Sequence, residues 1–497
     1  MEYELSYDGK GQTVRPEEGA TSMQAFNPYL PSWEYIPDGE PRVFGDRVYV
    51  YGSHDHFNAP IFCVGDYVCW SAPVDNLKDW RYEGVIFRKN QDPKNKLGIR
   101  LLFAPDVVQG PDGKYYLFYA FDFMGMIGVA VSDKPAGPYA FHGHVHYDDG
   151  VIWGRRKNDQ FPFDPGVLVD DDGSVYLYSG FYTPTPAVAS GFHKLKNDGG
   201  VVVKLAQDML TILEGPKLLF PKQGPDSFPN HEFFEASSIR KDGDKYVFVY
   251  SSRHNHELCY AVSDRPDGGF VFGGTLVDQG DLFLDGNENE TRALNYLGNT
   301  HGGMLNIGED WYIFYHRQTN QHSYSRQACA EKLTRLGPGR FLQSEVTSCG
   351  LNGGPLEGKG YYEARIACNL WSKQGVTRYD QKFDKKQHPY FTQTGRDRMN
   401  SGDQFIANMR DGSVAGFKYF EFTDARQLAI TIECQGEGVI EVAHQPDFCT
   451  LCAEAPVHPG NGRQVIKVDA AFQPGTQALY FRYRGTGFIN FHAFELR

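Results

Sequence analysis

FGDRVYVYGS, residues 44–53, is a Gly/Asp turn followed by a short strand dense in Tyr and Val, and the chain repeats it. The further copies are PDGKYYLFYA (111–120), DDGSVYLYSG (171–180), KDGDKYVFVYSS (241–252) and NIGEDWYIFYHR (306–317). Aligned on Tyr49, Tyr116, Tyr176, Val247 and Tyr312, the copies are 67, 60, 71 and 65 residues apart. Each interval has room for several strands, and IGVAVSD (127–133) and LCYAVSD (258–264) are two of them. A strand-rich repeat of this length predicts propeller blades rather than a solenoid. No amphipathic stretch of helical period with a credible cap interrupts it.

Composition agrees with an all-β chain. Its 497 residues include 36 Phe, 30 Tyr and 55 Gly, the ring side chains that suit a pleated surface and the residue that suits tight hairpin turns. The length calls for at least two domains. The repeat is read as far as His316, and the glycine-rich CGLNGGPLEGKG (349–360) marks a boundary. Beyond it FKYFEF (417–422), QLAITIEC (427–434), ALYFRYRG (478–485) and FINFHAFEL (488–496) alternate as separate strands. The predicted fold is therefore all-β: a five-bladed β-propeller over 1–350, then a β-sandwich of jelly-roll type over 351–497.

A formal charge of −13 disfavours nucleic acid as a partner, because phosphate contacts need a basic face. No run approaches the length of apolar sequence that a membrane helix needs, so no membrane partner is expected. The opening MEYELSYDGKGQTVRPEEG reads as no secretory signal, and nine cysteines lack framework spacing. The expected location is the cytoplasm.

Three acids stand at matching points ahead of their repeat strands: Asp38 in WEYIPDGEPRVFGDRVYVY, Asp164 in FPFDPGVLVDDDGSVYLY and Glu235 in HEFFEASSIRKDGDKYVFVY. In a propeller the starts of the inner strands meet at one mouth, so carboxylates far apart in sequence converge there. One carboxylate activating water and one protonated carboxyl donating to the leaving oxygen suffice to hydrolyse a glycosidic bond with inversion. A third acid nearby keeps the donor protonated by like-charge repulsion. Glu232 competes with Glu235, since only one of the two can enter the mouth of a regular strand. Trp33, Tyr35, Phe103 and Phe234 are aromatic neighbours of the acids suited to stacking on sugar faces.

Together with 27–55, 103–108 (FAPDVV), 163–180, 234–251 and 299–317 (NTHGGMLNIGEDWYIFYHR), these motifs resemble glycoside hydrolase family 43. The resemblance spans about the first 350 residues. It implies an inverting five-bladed enzyme with Asp38 as general base, Asp164 as pKa modulator and Glu235 as general acid. His301 matches the family's axial histidine, beside which a calcium ion or waters sit. No cofactor is otherwise required. The implied partner is an oligosaccharide containing pentose, cleaved by exo action as an α-L-arabinofuranosidase or β-xylosidase. A galactosyl or galactofuranosyl hydrolase and a non-catalytic glycan-binding propeller are the alternatives. Three departures stand out: Gly39 follows the base, Ala236-Ser237 follows the acid, and Phe103 replaces a Trp. Residues 403–422, with FINFHAFEL, are similar to a family 6-type carbohydrate-binding module.

Other pairs carry weaker signals. His142, His144 and His146 alternate along one strand, as a transition-metal face would. His54 with Asp55, and His254 with His256, follow repeat strands near the expected mouth, where they read equally as sugar-hydroxyl contacts or solvent-facing loop residues. Cys449 and Cys452 form an isolated CxxC, read as incidental. The acids of DDDG (170–173) read as a solvated hairpin turn.

Overall fold

The structure, a computed structural model, describes residues 23–284, 286–320, 322–379, 384–394 and 403–497. Strands dominate it, and the helices among the described residues are short 3-10 turns. None is long and apolar enough to cross a membrane.

Five antiparallel meanders follow one another. The first holds Glu40–Phe44, Arg47–Tyr51, Tyr67–Pro73 and Arg81–Phe87, the second Asp106–Gln109, Tyr115–Ala120, Ile127–Ser132 and Ala140–His144. The third holds Gly166–Val169, Val175–Gly180, Gly199–Leu205 and Ile212–Pro221, the fourth Phe233–Asp242, Lys245–Ser252, Glu257–Ser263 and Val271–Asp278. The fifth has three strands, Met304–Ile307, Asp310–Thr319 and His322–Leu333. Each repeat motif is thus the second strand of a meander, entered through a tight turn. The turn glycines Gly45, Gly113, Gly173, Gly243 and Gly308 all take φ between 61° and 82°, with open space where a Cβ would stand. Backbone conformation, not crowding, selects glycine at these five places.

The aromatic density of the second strands has a packing cause. Leu117 and Tyr119 face a core shared with the first meander, while Tyr116, Phe118 and Ala120 face one shared with the third. A strand buried on both faces needs apolar residues at successive positions rather than at alternate ones. Third and fourth meanders share a core through Tyr178 and Phe248, fourth and fifth through Val249 and Ile313, and fifth and first through Phe314 and Val50. The order of meanders therefore closes on itself.

The first strands of neighbouring meanders lie side by side around the centre, the last again touching the first. Buried ion pairs tie them there: Arg42 to Asp106 at 2.5 Å and Arg240 to Glu40 at 2.7 Å. A Cβ on Gly166 would collide with the Ser237 carbonyl, and one on Gly303 with the Glu40 carboxylate, so these strands approach too closely for side chains. The chain before the first meander finishes the fifth. Tyr29 N–H donates to the Ala328 carbonyl at 3.2 Å, and the Asn27 amide exchanges hydrogen bonds with Ala330.

After Leu333 come two six-stranded sheets. One is centred on Val414–Phe422 and Gly475–Gly485, the other on Gln427–Cys434 and Ile489–Leu496. Phe417 and Phe481 from one, and Ile430 and Phe494 from the other, share a core. This region docks against the meanders through polar contacts. Lys418 Nζ is buried between Asp281 (2.8 Å) and Glu345 (2.7 Å), and Arg317 donates to the carbonyls of Ala367 and Arg365.

The repeat, read as far as His316, runs on to Thr319, and a twelve-residue strand, His322–Leu333, follows within the same meander. Its polar opening, HSYSRQ, hid it from a search for aromatic strands.

Candidate active site

Asp38 stands two residues ahead of Glu40–Phe44, Asp164 two ahead of Gly166–Val169, and His301 three ahead of Met304–Ile307. Glu235 lies within Phe233–Asp242, where the pairing with the next strand slips at a bulge. All four line one pocket enclosing about 700 Å³ of space, counted out to the solvent. The bulge matters because Phe234 and Glu235 both line this pocket, whereas adjacent residues of a regular strand point to opposite faces. Glu232, the alternative acid, instead faces Arg253 at 3.5 Å.

Backbone strain concentrates here. Asp38 (φ 59°), Asp164 (φ 47°), Ala236 (φ 71°) and Asn255 (φ 69°) all take left-handed conformations. Asp and Asn tolerate that region; Ala pays about 1–2 kcal/mol for it. Ala236 occupies the place where the family resemblance has glycine, which enters this conformation freely.

Two environments meet in the pocket. On one side Arg326 Nη1 lies 2.9 Å from Asp38 Oδ1. Its remaining nitrogens grip the buried Asp55 at 2.8 and 3.1 Å, and its guanidinium covers the Phe62 ring at 4.7 Å. The Asp38 N–H donates to His316 Nδ1 at 3.2 Å. Burial pushes the Asp38 carboxyl up, but Arg326, with the His301 imidazolium beyond it, outweighs burial and holds the group below the usual carboxylate range. His316, fully buried and beside Arg326, is pushed down to about 3 and is neutral.

On the other side Phe103, Phe123, Phe163, Phe181 and Phe234 form a continuous aromatic wall. Phe123 and Phe163 stack with centroids 5.6 Å apart, Phe163 and Phe181 lie 5.1 Å apart, and Phe181 and Phe234 5.4 Å. Asp164 Oδ2 pairs with His301 Nδ1 at 3.4 Å. Burial, then the neighbouring Asp164 carboxylate, push Glu235 up to about 8. Burial also raises Asp164, with His301 opposing it. His301 rises to about 9, the attraction of Asp164 outweighing burial. A carboxyl kept protonated and a carboxylate kept charged across one pocket are the two halves of acid–base chemistry.

The residues read from sequence divide. Asp38, Asp164, Glu235, His301, Phe103 and Phe234 share the pocket. Trp33 does not line it, and packs its ring against Trp70 at 6.0 Å. Tyr35 is buried, donating its hydroxyl to Gln393 Oε1 at 2.8 Å. His54 and Asp55 contact Glu34 and Arg326 and belong to the support of the Asp38 loop. His142, His144 and His146 each take a separate partner, Asp208, Asp92 and Tyr147, so they present no common ligand set. As for calcium beside His301, that ion takes an all-oxygen shell and a protonated imidazole offers no lone pair. Asp164, paired to His301, is the carboxylate beside that imidazole, and waters would have to complete such a shell.

Sequence reading missed Arg326, Phe62, Phe123, Phe163, Phe181, Asn255 and Asn299, all of which line the pocket. The left-handed Asn255 within RHNHE left a usable signal, a lone Asn in a turn. Arg326 left none, because its partner Asp38 is 288 residues away.

The sequence profile described as "Glycosyl hydrolases family 43" matches residues 37–335. A "Xylosidase/arabinosidase" of Thermoclostridium stercorarium is 46% identical over 481 residues, covering 95% of this chain and 99% of that protein. Another so named, from Bacteroides ovatus, is 28% identical, covering 59% of this chain and 89% of its own. Among solved structures, the GH43_1 enzyme from Xanthomonas citri complexed with xylotriose superposes with a TM-score of 0.50 at 24% identity. It covers 63% of this chain and 93% of its own, and speaks to the fold alone. Profile and full-length relative agree: the chain belongs to glycoside hydrolase family 43.

Proposed function

We propose that this glycosidase acts with inversion, releasing terminal pentose from oligosaccharides as an α-L-arabinofuranosidase, a β-xylosidase or both. The observation that carries the reading is the opposite proton affinity of two carboxyls in one pocket, Asp38 held charged and Glu235 held protonated at neutral pH. Asp38 acts as general base, taking a proton from the water that attacks the anomeric carbon. Glu235 donates its proton to the departing oxygen as the glycosidic bond breaks. Asp164 keeps Glu235 protonated and is itself positioned by His301. The aromatic wall offers a surface to the C–H face of the sugar, while Asn255, Asn299 and Arg326 present polar groups to its hydroxyls. The pentose preference is supported by the 46% identity to a xylosidase/arabinosidase.

The five meanders are read as the blades of a five-bladed propeller over 1–350. The two six-stranded sheets are read as a jelly-roll sandwich over 351–497, akin to a family 6-type carbohydrate-binding module. The reaction calls for no cofactor beyond, at most, a structural calcium near the axis.

The test is hydrolysis of nitrophenyl α-L-arabinofuranoside, β-D-xyloside and β-D-galactofuranoside, with the product anomer followed by proton NMR. Release of arabinose or xylose as the inverted anomer is expected. Retention of configuration overturns the mechanism; release of galactose alone, or of nothing, overturns the substrate class.

A further inference from the structure

The turn carrying Asn255 gathers a second set of side chains whose chemistry the reaction does not use. His254 and His256 flank Asn255 where Lys245–Ser252 turns into Glu257–Ser263, and Glu290 reaches them from the 3-10 turn Glu290–Arg292. One ligand atom from each, two imidazole nitrogens and a carboxylate oxygen, lies within 4.8 Å of the other two. His256 is fully buried. Its Nδ1 lies 2.5 Å from Asp278 Oδ2, and its Nε2 faces Glu290 Oε1 at 3.3 Å. Asp278 is itself fixed, accepting from the N–H groups of Gly280 and Leu282 at 2.8 and 2.9 Å. A buried carboxylate that holds Nδ1 and aims Nε2 at further donors is how metal-binding histidines are oriented and kept basic. Phe283 covers the group, its ring 5.5 Å from that of His254 and 6.4 Å from that of His256. Such an apolar lid limits the water that would compete for an ion.

We infer that His254, His256 and Glu290 form a binding site for a zinc-type transition-metal ion, with Asp278 as the group that orients His256. Two imidazoles and one carboxylate are a borderline donor set that suits zinc rather than calcium or magnesium, and a water fills the fourth, open position. On binding, the proton on His256 Nε2 passes to solvent and the ion takes its place against Glu290. Arg378, 3.0 Å from Glu290 Oε1, opposes the ion and sets a modest affinity. A neighbouring trio, His231, Glu257 and Cys259, also clusters, but it is a closed network. Glu257 already accepts from His231, Ser252 and Thr275, and Cys259 is fully buried. Because His254 and His256 bracket Asn255, which lines the sugar pocket, the ion fixes the turn that presents Asn255 to substrate.

The test uses the full chain stripped with chelator and titrated with zinc chloride by calorimetry, and with cobalt(II) by visible absorption. One ion per chain and the intense bands of tetrahedral cobalt are expected. His254→Ala and Glu290→Gln, both at partly exposed positions and checked for folding by circular dichroism, each weaken binding at least about tenfold. Arg378→Gln strengthens it, and His231→Ala leaves it unchanged. No zinc uptake by the wild-type chain overturns the assignment, as does binding that survives in both ligand variants. Loss of binding in His231→Ala moves the ion to the other trio and overturns it equally.

Discussion

On the side of the pocket built by the first and fifth meanders, a carboxylate meets Arg326 and is held charged. On the side built by the third and fourth, a carboxyl meets Asp164 and a wall of phenylalanine and is held protonated. Asp38 is buried and Glu235 half-buried, and loss of solvent alone would favour the protonated form of both. Arg326 beside one and Asp164 beside the other make the difference. The pocket is therefore asymmetric: a cation holds one carboxyl charged, while an anion and an apolar wall keep the other protonated.

The strongest way to break this comparison is to remove the two carboxyls separately. Asp38→Asn is expected to cost about 10³–10⁴ in kcat/KM on every substrate, since no leaving group can replace activation of the water. Glu235→Gln is expected to cost about 10²–10³ on an unactivated disaccharide but far less on a nitrophenyl glycoside, whose departing oxygen needs little protonation. Equal losses on both substrates would erase the distinction between the sides.

Next in size is Arg326→Gln. Without the guanidinium the Asp38 pKa rises, so the acidic limb of the kcat/KM profile moves to higher pH, by about one unit or more. The change also strands Asp55, at a cost of about 3–5 kcal/mol that thermal melting would register and a second change, Asp55→Asn, would relieve. An unmoved acidic limb in the double variant would remove Arg326 from the definition of the base.

Asp164→Asn sharpens the other side. Taking away the like charge lowers the Glu235 pKa from about 8, so the alkaline limb is expected to move to lower pH by up to about one unit. A profile that shifts on the acidic side instead would reassign the two carboxyls. The smallest effect is expected from Phe163→Ala, which opens the aromatic wall and raises KM about two- to tenfold with little change in kcat.

The five turn glycines and the doubly buried strands after them were legible because each is a local pattern, repeated. The acids were legible for the same reason: Asp38, Asp164 and Glu235 occupy matching places in their repeats. Contacts across the ring were not. Arg326 faces Asp38 from a strand whose first half reads SYSRQ, and nothing near it in sequence announces a buried ion pair. Trp33 and Tyr35 show the opposite error. They lie close to Asp38 along the chain, but their rings turn into Trp70 and toward Gln393, because neighbours in sequence need not share a cavity. The phenylalanine wall escaped notice because a ring lining a pocket and a ring filling a core look alike in sequence. The bulge at Ala236 was also hidden, although an alanine where glycine would fit was its trace.

Asn27, which ties the start of the ring to its end, bonds Ala330, 303 residues later. A ribosome adding about 5–20 residues per second needs roughly 15–60 s to make that partner after Asn27 has emerged. Throughout that interval the first meander waits with the face that should meet the fifth, Val48, Val50 and Trp70, open to other chains. Closure of the ring is thus also a timing problem, and a shortened chain ending before residue 328 would never solve it.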